Sequence, residues 1–236
     1  RLTPGRACRL GGEHAVLAQV ALTLRPPPGP APLAPPARVL PLPTRVCAAD
    51  LPPDGPSGAV WVGLGGAYGT PVALPVEEGR PVAVVGPHGS GRSTALAHIR
   101  RRLEDAGRAV LAVGGSQSVD WAEILAALED GAVVIADDVE GIAGAAPSAL
   151  PSRGTLVASY STATAAAFRP PTPLFHARPR GVLLWPSHPG GSSAFGAGRG
   201  GAAPVELTGP RAADPPGRGR LVAGGRSYSV QLAAAN

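Results

Sequence analysis

The 236-residue sequence has no lysine, no methionine, only two cysteines and few aromatic side chains. Each absence excludes something. All 21 basic residues are arginines, and the formal charge of +5 is too small to argue for a nucleic-acid partner by itself. Cys8 and Cys47 make neither a disulfide framework nor a zinc spacing, which fits a reducing cytoplasm. The five histidines, at 14, 88, 98, 176 and 188, show no paired metal-ligand spacing. No run approaches the roughly 20 consecutive apolar residues of a membrane span, and no charged start followed by an apolar stretch marks a secretory signal. Collagen and coiled coil are excluded with them. Because methionine is missing even at position 1, the sequence is expected to be a piece of a longer protein.

Glycine (33) and proline (29), by contrast, are abundant, close to the share at which low complexity sets in. With 44% hydrophobic residues there is nevertheless material for a core, so the glycines and prolines mark linkers and loops around a folded centre. The run from Arg25 to Pro36 is dominated by proline, which locks φ and removes a donor, and residues 25–37 are expected to form an extended linker. Residues 37–57 look irregular. Beyond them strands and helices alternate. Strands are expected at Ala59–Val62, Val72–Leu74, Val82–Val85, Ala109–Val113, Ala132–Ala136, Thr155–Ala158 and Val182–Leu184. A helix is expected from Ser93 to Ala106, with Leu96, Ile99 and Leu103 on one face, Arg100, Arg101 and Arg102 turned mostly away, and Arg101 able to pair with Asp105. A second helix starts at its cap Asp120, with Glu123 in capping-box position, and stops at Gly131. Trp121 and Trp185 are read as core residues. Leu221–Ala223 and Tyr228–Leu232 form a closing β-hairpin. This alternation predicts an α/β domain whose mostly parallel sheet carries helices on both faces.

One repeat stands out. The 18 residues from Pro4-Gly5-Arg6 to Gln19-Val20-Ala21 align without a gap to those from Pro216-Gly217-Arg218 to Gln231-Leu232-Ala233, with six identities that include Gly12 opposite Gly224. The simplest account makes residues 1–24 the closing strands of a preceding similar domain, and residues 38–236 the domain itself.

The chemistry lies in two motifs. Gly86-Pro87-His88-Gly89-Ser90-Gly91-Arg92-Ser93-Thr94 follows an apolar strand and opens an amphipathic helix. Glycines let successive backbone N–H groups turn inward, and a helix N-terminus behind them completes an anion cradle. It is the phosphate-loop pattern with Arg92 in place of lysine, and Ser93 is the candidate Mg²⁺ ligand, flanked by Thr94. Val133–Ala136 then runs into Asp137 and Asp138, an apolar strand ending in carboxylates. Asp137 is the candidate metal-side acid, and Asp138 stands where a water-activating glutamate would. Arginine is a planar fork rather than a compact charge, and aspartate is one methylene shorter than glutamate, so nucleotide binding is expected to survive better than turnover.

These residues resemble the FtsK/SpoIIIE family of P-loop motor ATPases, and more closely the last ATPase module of EccC-type type VII secretion motors of actinobacteria. The resemblance runs over about residues 38–233, through Val39-Leu40-Pro41, the loop at 86–94, Val133–Asp138, Gly181–Trp185 and the Pro-Gly-Arg…Gln ending. It implies a RecA-like P-loop NTPase fold, ATP and Mg²⁺ as ligands, tandem ATPase modules in one chain, and rings or stacks of modules. The moved substrate would be a secreted protein or DNA. The place would be the cytoplasm, at the inner membrane face only through other parts of the parent protein. Ser159-Tyr160-Ser161-Thr162 stands where DNA-translocating members carry Thr-Gln-Arg-Pro, with Ser159 as the polar candidate there, and no DNA-reading winged helix follows the hairpin. Arg153, Arg178, Arg180 and Arg218 are candidates for an arginine acting on a neighbouring module. A docking module for an exported partner is the remaining alternative.

Overall fold

The computed structural model describes residues 40–114, 119–176, 179–186, 188, 195 and 214–234, together with the backbone course of 6–11 and 14–19. The linker at 25–37, Arg178 and most of the glycine-rich stretch at 190–201 lie outside the described residues.

Four short apolar runs form the buried centre. β6 (Val82–Val85), β8 (Val133–Ala136), β9 (Thr155–Tyr160) and β10 (Gly181–Leu184) have every residue buried. With β7 (Val110–Val113) they pair in parallel in the order β10-β6-β9-β8-β7. A strand buried on both faces needs apolar residues at every position, because its side chains alternate. The two core clusters show this alternation. Val82 and Val84 join one, Ala83 and Val85 the other; Val133 and Ile135 face one way, Val134 and Ala136 the other.

A helix covers each face. α1 (Arg92–Asp105) buries Ala95, Leu96, Ile99 and Leu103 in the first cluster. α2 (Trp121–Glu129) buries Trp121, Ile124 and Leu128 in the second. The Asp120 carboxylate accepts from the Glu123 N–H at 3.0 Å, and Gly131 follows the last turn at φ 85°. The helix-forming residues on α1 begin at Arg92, one earlier than the pattern predicts, because Gly91 at φ 100° serves as its cap.

On the other side of β10 the sheet becomes antiparallel. β11 (Arg218–Ala223) and β12 (Arg226–Ala234) form the expected hairpin, followed by β4 (Ala59–Gly65) and β5 (Thr70–Pro75). β3 (Val46–Cys47) pairs with β12 inside the stretch that looks irregular in sequence. The result is one 10-stranded mixed sheet. Two short helices escape the sequence pattern, α3 (Thr162–Ala166) and α4 (Thr172–His176), each too short to show a helical period. β1 (Arg6–Gly11) and β2 (His14–Gln19) make a separate two-stranded antiparallel sheet.

The arginines of α1 differ from expectation. Arg100 pairs with Glu104 at 2.7 Å, an i,i+4 contact one position before the predicted one. Arg102 does not face away. It donates to the carbonyls of Ala48, Pro52 and Pro53 at 2.9–3.1 Å and fastens the loop before β4. Trp121 is core, 3% exposed, whereas Trp185 is only half-buried and donates its indole N–H to Pro215 at 3.3 Å.

Candidate functional site

The loop at 86–94 leaves the carboxyl end of β6, and its geometry follows from its glycines. Gly86 donates to the Tyr160 carbonyl at 3.3 Å, which holds the loop's start to β9. A Cβ on Gly86 would collide with the Ser90 hydroxyl, so only glycine fits. Gly89 (φ 78°) and Gly91 (φ 100°) take left-handed conformations that side-chain-bearing residues resist. Ser90 is fully buried, with its hydroxyl and its N–H both turned to the Pro87 carbonyl, so it braces the loop from inside. His88, Gly89, Ser93 and Thr94 are exposed.

The first turn of any α-helix has N–H groups without intrahelical acceptors. Here those belong to Arg92, Ser93 and Thr94, and the cap Gly91 offers no side chain to them. The Arg92 guanidinium lies over the same corner with its side chain 11% exposed and its buried Nη1 without a hydrogen-bond acceptor. Uncapped donors and an under-used buried cation are what a phosphate group requires, so the residues present fit a nucleotide phosphate.

The carboxylates arrive from the neighbouring strands. β9 lies between β6 and β8, and Ser159, on β9, joins their ends. Its hydroxyl donates to the Asp137 carboxylate and accepts from the Asp138 N–H at 2.9 Å. Asp137 extends the ladder one residue beyond β8 by donating to Val113 at 2.9 Å. Gly114 makes room for it: a Cβ there would sit 3.0 Å from that of Asp137. Asp138 turns the chain in the left-handed region, φ 52°, and points back to the loop.

Asp138 meets Arg92 at 2.8 Å, with Glu140 beyond it at 3.9 Å from the same guanidinium. Arg92 does not pair with Asp137, which is engaged by Ser159 instead. Glu140 also accepts from the Ser161 N–H at 2.9 Å. It was missed in sequence, although its longer reach two residues after Asp138 was the available signal. Partial burial raises the Asp138 pKa above its ordinary value, against the pull of Arg92, with the charges of Asp137 and Glu140 adding to the rise and His88 opposing it.

The arginine candidates divide. Arg153 is exposed. Arg180 is 9% exposed and bound to Glu77 at 3.3 Å, and Arg218 is engaged with Gln231, Leu42 and Pro43. Neither of these two is free to reach a neighbour. Among the described residues no group of three or more His, Cys, Asp or Glu is placed to hold a metal, and no helix is long and apolar enough to cross a membrane.

A parallel β-sheet between helices, a glycine loop opening α1, and carboxylates at the end of β8 define a RecA-like P-loop NTPase fold. It is also the fold of the ATPase domains of EccC and EssC. Among solved structures the chain is similar to EssC (ATPases 2 and 3) from Geobacillus thermodenitrificans, with a TM-score of 0.63 and 15% identity over 99% of this chain and 56% of that one. It is similar to the cytoplasmic domain of the Thermomonospora curvata type VII secretion ATPase EccC, at TM-score 0.59 and 15% identity over 83% of this chain and 28% of that one. ATPases 2 and 3 of Thermomonospora curvata EccC, in complex with a signal sequence peptide, match at TM-score 0.56 and 16% identity, over 99% and 54%. The chain thus spans 28% to 56% of the length of these three structures. No family model and no curated protein matches it.

Proposed function

We propose that this chain is an ATP-binding, partly degenerate module of a multi-domain motor of the FtsK/SpoIIIE type that serves protein secretion, with weak or absent hydrolysis. The observation that carries the reading is the Arg92–Asp138 pair across the mouth of the phosphate loop. The loop keeps its glycine geometry and uncapped helix start, while its cation is bound by the carboxylate that would otherwise orient water.

In this reading the N–H groups of Gly89, Gly91, Arg92, Ser93 and Thr94 hold the phosphates, with Pro87 and His88 shaping the turn. Gly86 and Ser90 act by bracing the loop. Ser93 and Asp137 hold Mg²⁺, which supplies charge neutralisation of the phosphates when bound. Ser159 orients Asp137 and anchors the Asp138 backbone. Asp138, bound to Arg92 and one methylene shorter than glutamate, is poorly set to take a proton from water.

Two observations support tandem modules in the parent chain. β1 and β2 pair Arg6 with Gln19, the register in which β11 and β12 pair Arg218 with Gln231. Two of the similar structures each carry two ATPase domains. A secreted protein is the proposed cargo, because one relative was solved with a signal sequence peptide.

Calorimetry with Mg²⁺–ATP and a phosphate-release assay test the reading. Saturable binding with slow turnover is expected, and Arg92→Lys is expected to raise turnover by freeing the loop from the Asp138 carboxylate. Absence of saturable binding by the wild-type chain would overturn the proposal. Phosphate release stimulated by duplex DNA would favour a DNA-translocating motor instead.

A further inference from the structure

The Pro-Gly-Arg…Gln pattern is the sequence feature to which the proposed function assigns no work. In the structure it is a corner that joins three distant parts of the chain. The Gly217 N–H donates to the Ser90 carbonyl of the phosphate loop at 3.0 Å, and Leu232 donates back to Gly217 at 2.9 Å. A Cβ on Gly91 would lie 3.4 Å from the Gly217 nitrogen, so this corner is the wall behind the loop's last glycine. Arg218 comes next. Its Nε donates to Gln231 Oε1 at 2.9 Å, and its Nη2 donates to the carbonyls of Leu42 at 3.2 Å and Pro43 at 2.8 Å. Gln231, only 1% exposed, uses its Nε2 to donate to the Pro216 carbonyl at 2.8 Å.

The chemistry of the approach segment explains the choice of residues. Pro41 and Pro43 have no N–H, so this stretch cannot be laddered into a sheet from both sides. The Leu40 N–H donates to the Ala67 carbonyl, and the carbonyls of Leu42 and Pro43 are bonded by Arg218. A guanidinium is a rigid fork of donors that can span adjacent carbonyls and an amide oxygen at once, which a lysine ammonium cannot do from one plane. The same two residue types stand directly opposite each other in β1–β2, as Arg6 and Gln19.

We propose that Arg218 is a positioning residue for the phosphate loop. With Gln231 it locks the approach segment at Leu42–Pro43 to the Pro216–Gly217 corner, and through Gly217 it holds the Ser90 carbonyl. Loop geometry and docking of the approach segment then form one linked equilibrium. Whatever moves the chain before Leu40 acts on the loop, and a phosphate ligand in the loop tightens the approach segment by the same factor. The link to ligand affinity rests on the reading of 86–94 as a nucleotide loop; the link between the two segments does not.

Amide hydrogen exchange of the 236-residue chain tests both. It is read at Ser90 and Gly217, whose N–H groups donate to the Pro87 and Ser90 carbonyls, and at Leu40, whose N–H donates to Ala67, with and without Mg²⁺ and a slowly hydrolysed ATP analogue. In the wild type the analogue is expected to slow exchange in both segments. Arg218→Lys, which keeps a cation at this corner where Arg218→Ala would leave the Leu42 and Pro43 carbonyls unbonded, is expected to speed exchange in both segments without ligand. It should weaken analogue binding about tenfold, the scale of a lost charged hydrogen bond or two, and uncouple the approach segment from the ligand. Gln231→Glu keeps the Arg218 partner but drops the donor to Pro216, and is expected to speed exchange at Ser90 and Gly217 alone. Faster exchange at Leu40 in Arg218→Lys with no change at Ser90 and Gly217 would overturn the inference. Should the wild type bind no analogue, the nucleotide reading fails, and the ligand-free exchange comparison still decides whether Arg218 positions the loop.

Discussion

In the proposed reading, Asp138 and a nucleotide phosphate compete for one guanidinium, that of Arg92. The Asp138 side chain is 60% exposed, so the pair is worth no more than a surface ion pair, roughly 0–1 kcal/mol. Asp138→Asn is therefore expected to tighten ATP binding up to about fivefold while abolishing whatever turnover the wild type has. Calorimetry beside a phosphate-release assay reads the two effects separately. Looser binding in the variant would show that the pair props the loop open rather than competing for its cation. A second residue sets a pH dependence. His98, 2% exposed on α1, has its pKa lowered by burial, with Arg102 and Arg101 lowering it further and the hydrogen bond to the Trp61 carbonyl opposing. That carbonyl, 2.9 Å from Nε2, accepts the imidazole N–H. A lowered folded pKa means that the unfolded chain binds the proton first. The stabilising contribution is present above the ordinary value of 6.5 and is lost as pH falls below it. Denaturant unfolding between pH 7.5 and 5.5 is expected to show stability falling by at most about 1.4 kcal/mol per pH unit from this group. His98→Gln, whose amide can donate to the same carbonyl, should flatten that slope.

Elements carry their own signals, and length decides how legible those are. α2 is announced by its cap, and Asp120→Ala is expected to cost about 1 kcal/mol, seen as a lower thermal midpoint with unchanged ATP binding. α1 and the four buried strands are equally plain in sequence, because a run buried on both faces and a helix with one apolar face have distinct periods. The five-residue helices α3 and α4 span too few turns to show any period, and β3 is held by only two residue pairs with β12. Their place is set by packing. Thr172 and Phe175 are buried against a core that the sequence alone does not assemble. Arg102 makes the same point from the other side. It reads as one of three solvated arginines, yet the carbonyls that occupy it come from residues about fifty positions earlier.

For the whole molecule, the seam between the two halves of the sheet is the critical feature. β10 is parallel to β6 on one side and antiparallel to β11 on the other. It starts at Gly181, where a Cβ would run into the Ala83 carbonyl of β6. Gly181→Ala is expected to separate the parallel half from the hairpin that backs the phosphate loop. The measurable result would be loss of cooperative unfolding, with little folded protein recovered. A variant that unfolds in one transition near the wild-type midpoint would show that the seam can open without harm.

The sequence by itself determined the local chemistry. The glycines of 86–91 permit the loop, the apolar runs specify buried strands, and Asp137 and Asp138 stand at the end of one of them. Those properties depend on neighbours within a few residues, so spacing expresses them. The tertiary structure alone decided which carboxylate meets Arg92, that Ser159 occupies Asp137, that Glu140 joins the site, and that Arg218 is spent on carbonyls far upstream. Those pairings depend on β9 lying between β6 and β8 and on the hairpin closing beside β10. Strand order is a long-range outcome of burial, and it has no period in the chain from which it could be read.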